Sequence, residues 1–411
     1  MSARAQRLPS YALFAALLSA AGLPIYIHAP KFYVDQYGVS LAALGTVLFV
    51  LRLLDVVQDP LLGKLSERLR HRRGIAVAVG AGMMALAMMG LFAVAPPVAP
   101  VLWFAGMLTL VFSGFSFLTI CFYAQGVAKA DAIAGQGHLM LARWRETGAL
   151  LGVCAASVAP VMLGVWLDAP FAGFAVGFAL LALFAVLAMS DEWRAADLPA
   201  STGFATVLKD AVARRLLLVA LLNAAPVAVS STLFLFYVER ALEAPGWEGP
   251  LLLLFFLSAA AAAPFWSMLA ERFGGKRVLL LAMVLGIVAF GGALFLGPGD
   301  VLLFALVCLA SGAVLGADLT LLPAMFATRM AKISPSAAEG FGLWSFVSKF
   351  TLALAAVVLL PVLEGAGLQT DGTESPPEAI RMLILLYAGV PCVLKLCAIA
   401  LLARVSIVEE V

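Results

Sequence analysis

Two aspartates four residues apart stand inside a strongly apolar run, in Arg52-Leu-Leu-Asp55-Val-Val-Gln-Asp59-Pro60. At about 100° per residue on a helix, steps of three and four place Arg52, Asp55 and Asp59 on one face. The enclosing run extends from about Leu41 to Leu62, long enough to cross a bilayer. An ionised carboxylate at mid-membrane costs ~2.5–3.5 kcal/mol on insertion scales. Two on one face therefore call for neutralisation by Arg52, or for a water-lined cavity in which they hold a cation. Carboxylates, with a backbone carbonyl freed by Pro60 near Val56, are hard oxygen ligands suited to a proton or to sodium. Asp55 lies deeper; Asp59 is nearer the interface, where a structural role is also open to it.

Other apolar segments carry isolated charges. Lys349 and Asp318 are the lone charges of their segments, and two readings stand: they pair with each other, or Lys349 faces a central cavity. Arg145 offers five donors in a planar fork, suited to a polyhydroxyl or anionic solute, with Glu146 beside it as a salt-bridge partner. Tyr26, Tyr123, Tyr237 and Trp344 are flat faces of the kind a sugar ring packs on, although most membrane aromatics pack or anchor.

These residues must be positioned by membrane helices. Hydrophobic residues make up 64% of the 411 and charged ones 12%, far below the quarter usual in soluble domains. Twelve apolar segments of about 19–27 residues follow one another, with no intervening stretch long enough for a soluble domain. The first continues past a signal-like Ser19-Ala20-Ala21 to Ile27 and reads as a retained helix. Most of the 26 Lys and Arg fall at the termini and in loops after even-numbered segments, which predicts both termini on the cytoplasmic side of a bacterial-type inner membrane. The basic clusters are short and tied to helix ends, which argues against nucleic acid. The five cysteines lie in apolar segments without a CxxC pair, and read as packing residues. No GxxxxGK[ST], HExxH or GxSxG occurs and the three histidines are dispersed, so neither ATP drive nor metal or triad enzyme chemistry is expected, and no cofactor.

The polar stretch around Ser190–Arg214 divides the segments six and six. The division predicts an N-terminal six-helix bundle over 1–190, a cytoplasmic linker over 191–213 and a C-terminal six-helix bundle over 214–411. A repeat supports it: Pro60, Glu67, Arg68, Arg72 and Arg73 recur 204 residues on as Pro264, Glu271, Arg272, Lys276 and Arg277. Matching charge at the same place in both halves points to two parallel six-helix repeats. Glu67, Arg68, Glu271 and Arg272, with Arg52, are read as gating residues that lock helix ends together. The acid pair does not recur; 204 residues on, Ala259 and Ala263 stand in its place.

This all-α membrane architecture of twelve helices resembles the major facilitator superfamily. Within it, Arg52-x-x-Asp55-x-x-x-Asp59-Pro60-x-x-Gly63 resembles the glycoside–pentoside–hexuronide:cation symporters, the melibiose carrier-like branch. Arg145, Lys349 within Trp344-Ser-Phe-Val-Ser-Lys349, and the Pro323-Ala-Met325 step after Asp318 match further positions of that branch. The resemblance implies a cation site at Asp55 and Asp59, substrate contact at Arg145, and a cation-coupled symporter of a small polar solute of sugar or glycoside class, working by alternating access as a monomer in the lipid bilayer. H+ and Na+ are both open as the coupling ion. The chain departs from the branch in lacking its helix-one and helix-four carboxylates, which leaves open a lysolipid or other amphiphile transporter of the same fold. A non-transport membrane sensor is less favoured, since no soluble output domain is seen.

Overall fold

Proline, glycine and capping side chains punctuate the apolar runs into helices. The computed structural model describes residues 8–131, 133, 137–194, 203–334, 337–366 and 376–405. Among them the order is α1 (Leu8–Ala20), α2 (Leu23–Tyr37), α3 (Leu41–Arg68), α4 (Arg73–Phe92), α5 (Pro100–Asp131), α6 (Gly137–Leu163), α7 (Pro170–Ala188), α8 (Ser190–Arg194) and α9 (Phe204–Lys209). There follow α10 (Ala211–Phe236), α11 (Glu248–Phe273), α12 (Gly275–Gly291), α13 (Val301–Ile333), α14 (Ala338–Gly365), α15 (Pro377–Ile384) and α16 (Val390–Ala403). Among the described residues the fold is all-α, with places for twelve membrane spans.

Eight spans among the described residues qualify by length and hydropathy alone. The other four places belong to α3, α6 and α14 and to the first span. That first span is not the continuous helix expected from its hydropathy. It breaks at Ala21–Gly22 into α1 and α2, because Gly22 precedes Pro24, which has no N–H to continue the ladder. The last span is interrupted too, by a π-turn over Leu385–Gly389 between α15 and α16, and α10 ends in another over Tyr237–Ala241. Ser40 caps α3 by accepting from Ala43 N at 3.3 Å, and Asp210 caps α10 by accepting from Ala213 N at 2.8 Å. Gly38, at φ 62°, ends α2 in the left-handed conformation that glycine adopts without strain.

The chain forms two compact units, one of 1–209 with Ala327–Phe346, the other of Asp210–Phe326 with Val347–Val411. The linker predicted over 191–213 contains the short helices α8 and α9 and the start of α10. In the first unit α1 lies along α6, where Gly148 and Gly152 let the backbones of Ala12 and Ala16 approach closely. Phe14, Tyr33, Phe104 and Phe122 fill its core. In the second unit Tyr237, Phe304 and Tyr387 form the core, with the Tyr237 and Tyr387 rings stacked at 4.1 Å. Large apolar side chains such as Leu86, Leu102, Val288 and Leu302 point outward, as lipid-facing surfaces require.

Candidate functional site

Helix α3 holds the acid pair on a continuous backbone that accommodates Pro60 and runs on to Arg68. Asp55 is 3% exposed and Asp59 is 0%. Gln58 Nε2 donates to Asp55 Oδ1 at 2.7 Å, and Gln58 Oε1 accepts from Ser113 Oγ of α5 at 3.0 Å, so a short relay ties Asp55 to the neighbouring helix. Asp59 Oδ2 accepts from Ser345 Oγ of α14 at 2.6 Å. That bond depends on close backbone approach. A Cβ on Gly63 would stand 3.4 Å from Ala338 O and 3.6 Å from Gly342 Cα, so two glycines face each other across α3 and α14. Arg52, half-buried, lies one turn before Asp55.

A second cluster joins α5 and α6. Arg145 Nε lies 2.8 Å from Glu146 Oε1, the Tyr123 hydroxyl donates to the same oxygen at 3.3 Å, and the guanidinium carbon sits 3.9 Å over the Tyr123 ring. Phe341 packs on that ring at a centroid distance of 4.8 Å. Arg145 and Glu146 are both buried, so the adjacent carboxylate, rather than solvent, offsets the guanidinium charge. Arg145 Nη2 is buried without a hydrogen-bond partner among the described residues. It is a donor held in reserve beside an aromatic face.

Two further ion pairs connect distant stretches. Lys129 Nζ of α5 lies 2.8 Å from Glu192 Oε1 of α8, the Glu192 carbonyl accepts from Gln125 Nε2 at 2.8 Å, and Tyr11 OH reaches Oε2 at 3.5 Å. Glu192, within the predicted cytoplasmic linker, is buried because α8 folds back and inserts Trp193 against Phe14. In the second unit Asp318 pairs with Lys395 of α16, whose Nζ also donates to Asn223 Oδ1 of α10 at 2.7 Å. The sequence left Asp318 open to Lys349; its partner is Lys395.

The repeated loop motif finds unequal surroundings. Glu67 is buried and accepts from Arg70 Nη1 at 3.0 Å, and Arg73 is 2% exposed. Their counterparts Glu271 and Arg277 are exposed, as are Arg68 and Arg272. Lys276 instead donates to Ala403 O at 2.9 Å and Val405 O at 2.8 Å, capping the end of α16.

Residues 10–409 match the family described as MFS/sugar transport protein. The chain belongs to this family. Members of the MFS/sugar transport family are transporters, not enzymes. Over 43 residues the chain is 49% identical to the putative glycoside/cation symporter YagG of Escherichia coli K12, a match spanning 10% of this chain and 9% of YagG. In fold it is similar to a bacterial homologue of the iron transporter ferroportin in an outward-facing state, with 14% identity, TM-score 0.72 and coverage of 97% of this chain and 98% of that one. It is likewise similar to the Escherichia coli fucose:proton symporter FucP, with 14% identity, TM-score 0.61 and coverage of 96% and 98%.

Within this MFS/sugar transport protein, the structure brings Arg145 and Tyr123 into contact and keeps Asp55 and Asp59 one turn apart on α3. Trp344 is half-buried on α14 in the first unit, whereas Lys349, buried, falls in the second. The Tyr26 side chain lies outside the described residues. Sequence reasoning missed Gln58 and Ser345 as partners of the acids. Gln58, three residues after Asp55, carried an i,i+3 signal; Ser345 carried none.

Proposed function

We propose that the protein is a cation-coupled secondary symporter for a small polar solute of the sugar or glycoside class, moving it by alternating access. The observation that carries this reading is the pair of buried carboxylates one turn apart on α3, each held by a side-chain hydrogen bond at 2.6–2.7 Å, in a chain of the sugar-transport family. Buried acids in a membrane helix mark ion paths, because the cost of placing them there is met only by partners or by function. The short match to YagG, itself described as a putative glycoside/cation symporter, supports the same class.

In this reading Asp55 and Asp59 bind the coupling ion, H+ or Na+. Gln58 and Ser345 orient the two carboxylates. Arg145 and Tyr123, with Tyr26, Trp344 and Lys349, contact the solute: the guanidinium donates to hydroxyls and the tyrosine face packs on the ring. Arg52, Glu67, Arg68, Glu271 and Arg272 act in gating. The protein works as a monomer in a bacterial-type inner membrane with both termini cytoplasmic.

Uptake of a panel of radiolabelled sugars and glycosides into sealed vesicles, under an imposed proton or sodium gradient, tests the proposal. The wild type accumulates its solute above equilibrium under one of the gradients. Asp55→Asn equilibrates solute without accumulating it. Accumulation by Asp55→Asn equal to that of the wild type removes the coupling role.

A further inference from the structure

Asp318, Lys395 and Asn223 form a polar cluster in the second unit that the proposed coupling chemistry does not use. All three lie well inside long apolar spans, on α13, α16 and α10, and all are buried: 7%, 8% and 6% exposed. Asp318 Oδ2 is bonded to Lys395 Nζ, while Asp318 Oδ1 is buried with no hydrogen-bond partner among the described residues. An ionised carboxylate with one oxygen unsatisfied in a low-dielectric interior is costly, and native structures rarely keep one without a use for it. Lys395, in contrast, has a second acceptor, Asn223 Oδ1, at 2.7 Å.

We infer that Asp318 is a second proton-binding site, separate from the α3 acids. A proton from the aqueous phase adds to Asp318 Oδ1, the carboxylate becomes a neutral carboxyl, and no other bond is made or broken. Lys395 keeps its own proton, and its bond to Asn223 means that losing the carboxylate charge does not strand it. An ion pair without such a neutral acceptor would resist protonation, because the ammonium would be left alone in the membrane. Asn223 is what turns this pair from a fixed clamp into an exchangeable one.

The surroundings give the event a mechanical consequence. α13 is seated on α11 through glycines: a Cβ at Gly312 would collide with Phe255 O and Ser258 Oγ, and one at Gly316 would stand 2.7 Å from Ala259 O. α10 and the last span are joined independently, by Asn223 to Lys395 and by the Tyr237–Tyr387 stack. The Asp318–Lys395 pair links α13, on its glycine seat, to the α10–α16 pair. Protonation weakens that link while leaving the Asn223–Lys395 bond and the tyrosine stack in place. Among the described residues the charged group bonded to Asp318 is Lys395, whose other acceptor is the neutral Asn223 of α10, while the neighbouring Gly316 of α13 lies against the backbone of Ala259 and Ala263 on α11. The inference does not depend on the role of Asp55, so either can fail alone.

Infrared pH titration of the full-length protein in lipid nanodiscs tests it without any solute. The background is Asp55→Asn/Asp59→Asn, which removes the α3 acids. We expect the reversible protonated-carboxyl band in this background to lose one carboxyl's amplitude when Asp318→Asn is added. The charge-neutral pair Asp318→Asn/Lys395→Met should lose the same amplitude, and it serves if the single variant fails to fold. An unchanged band in the variant that folds shows that Asp318 does not exchange a proton and overturns the inference.

Discussion

Gly152→Ala tests whether the seam between α1 and α6 is limited by backbone contact. An alanine Cβ at 152 would stand 2.5 Å from Ala16 O and 2.6 Å from Ala16 Cα, where ordinary contact begins at 3.4 Å. The helices must therefore separate by roughly 1 Å, and overpacking of this kind costs ~1–3 kcal/mol. Alanine also gains ~1 kcal/mol of helix propensity over glycine. Gly82→Ala in α4 supplies the control, since nothing lies within 4 Å of its would-be Cβ. Both substitutions share the propensity gain, so their difference isolates the clash at ~1–3 kcal/mol. The assay is unfolding of the purified protein in detergent, alongside uptake in vesicles. Uptake should fall in Gly152→Ala, because α6 carries Arg145 two turns earlier and displacing the helix shifts its guanidinium off the Tyr123 ring of α5. Adding Ala16→Gly should not rescue, since the atoms met are backbone atoms. Equal stability of the two variants, or rescue by Ala16→Gly, would refute the backbone-limited seam.

Further substitutions probe the polar clusters. Ser345→Ala removes the 2.6 Å donor to Asp59, a bond to a charged group worth ~1.5–3 kcal/mol; a double-mutant cycle with Asp59→Ala should show coupling of that order, and strict additivity would contradict the contact. Glu146→Ala strips the buried guanidinium of Arg145 of its carboxylate and should cost ~3–5 kcal/mol, whereas Tyr123→Phe removes one hydroxyl donor to that carboxylate for ~1.5–3 kcal/mol; equal losses in an unfolding assay would mean that Glu146 is not what holds Arg145 in place.

Patterns with a local period were legible in the sequence, and partners drawn from elsewhere in the chain were not. Arg52, Asp55 and Asp59 declare a shared face through steps of three and four, and twelve apolar runs declare twelve spans. Ser345 is 286 residues from Asp59, and nothing in its surroundings marks it. Asp318 shows the difficulty most clearly. It is one lone charge in an apolar helix, and both Lys349 and Lys395 are lone cations in others. Charge balance permits either pairing, and only the packing of α10, α13 and α16 selects Lys395. Glu192 lies in a polar stretch that predicts a linker, yet five residues suffice for α8 to turn it onto Lys129. The break in the first span left a trace, Gly22 with Pro24, but hydropathy averaged over a window passes across it.

The repeat explains why the two halves nevertheless differ in chemistry. Pro60 and Pro264 both sit inside helices that continue through them, so the duplicated element is a scaffold that tolerates a missing hydrogen bond at the same place. On that scaffold the first unit puts two carboxylates on α3, where the second has Ala259 and Ala263. The second unit puts its buried acid on α13 instead, with a lysine from α16. The same loop motif then buries Arg73 in one unit and leaves Arg277 exposed in the other. Gly74, next to Arg73, is covered by Trp193 of α8, whose Cβ would lie 3.2 Å from a Cβ at 74, whereas Lys276 turns to the last carbonyls of α16. Helix packing needs only volume and backbone contact, and both are met by small apolar residues in either half. Intramembrane charge must be matched residue by residue, so each half had to find its own solution.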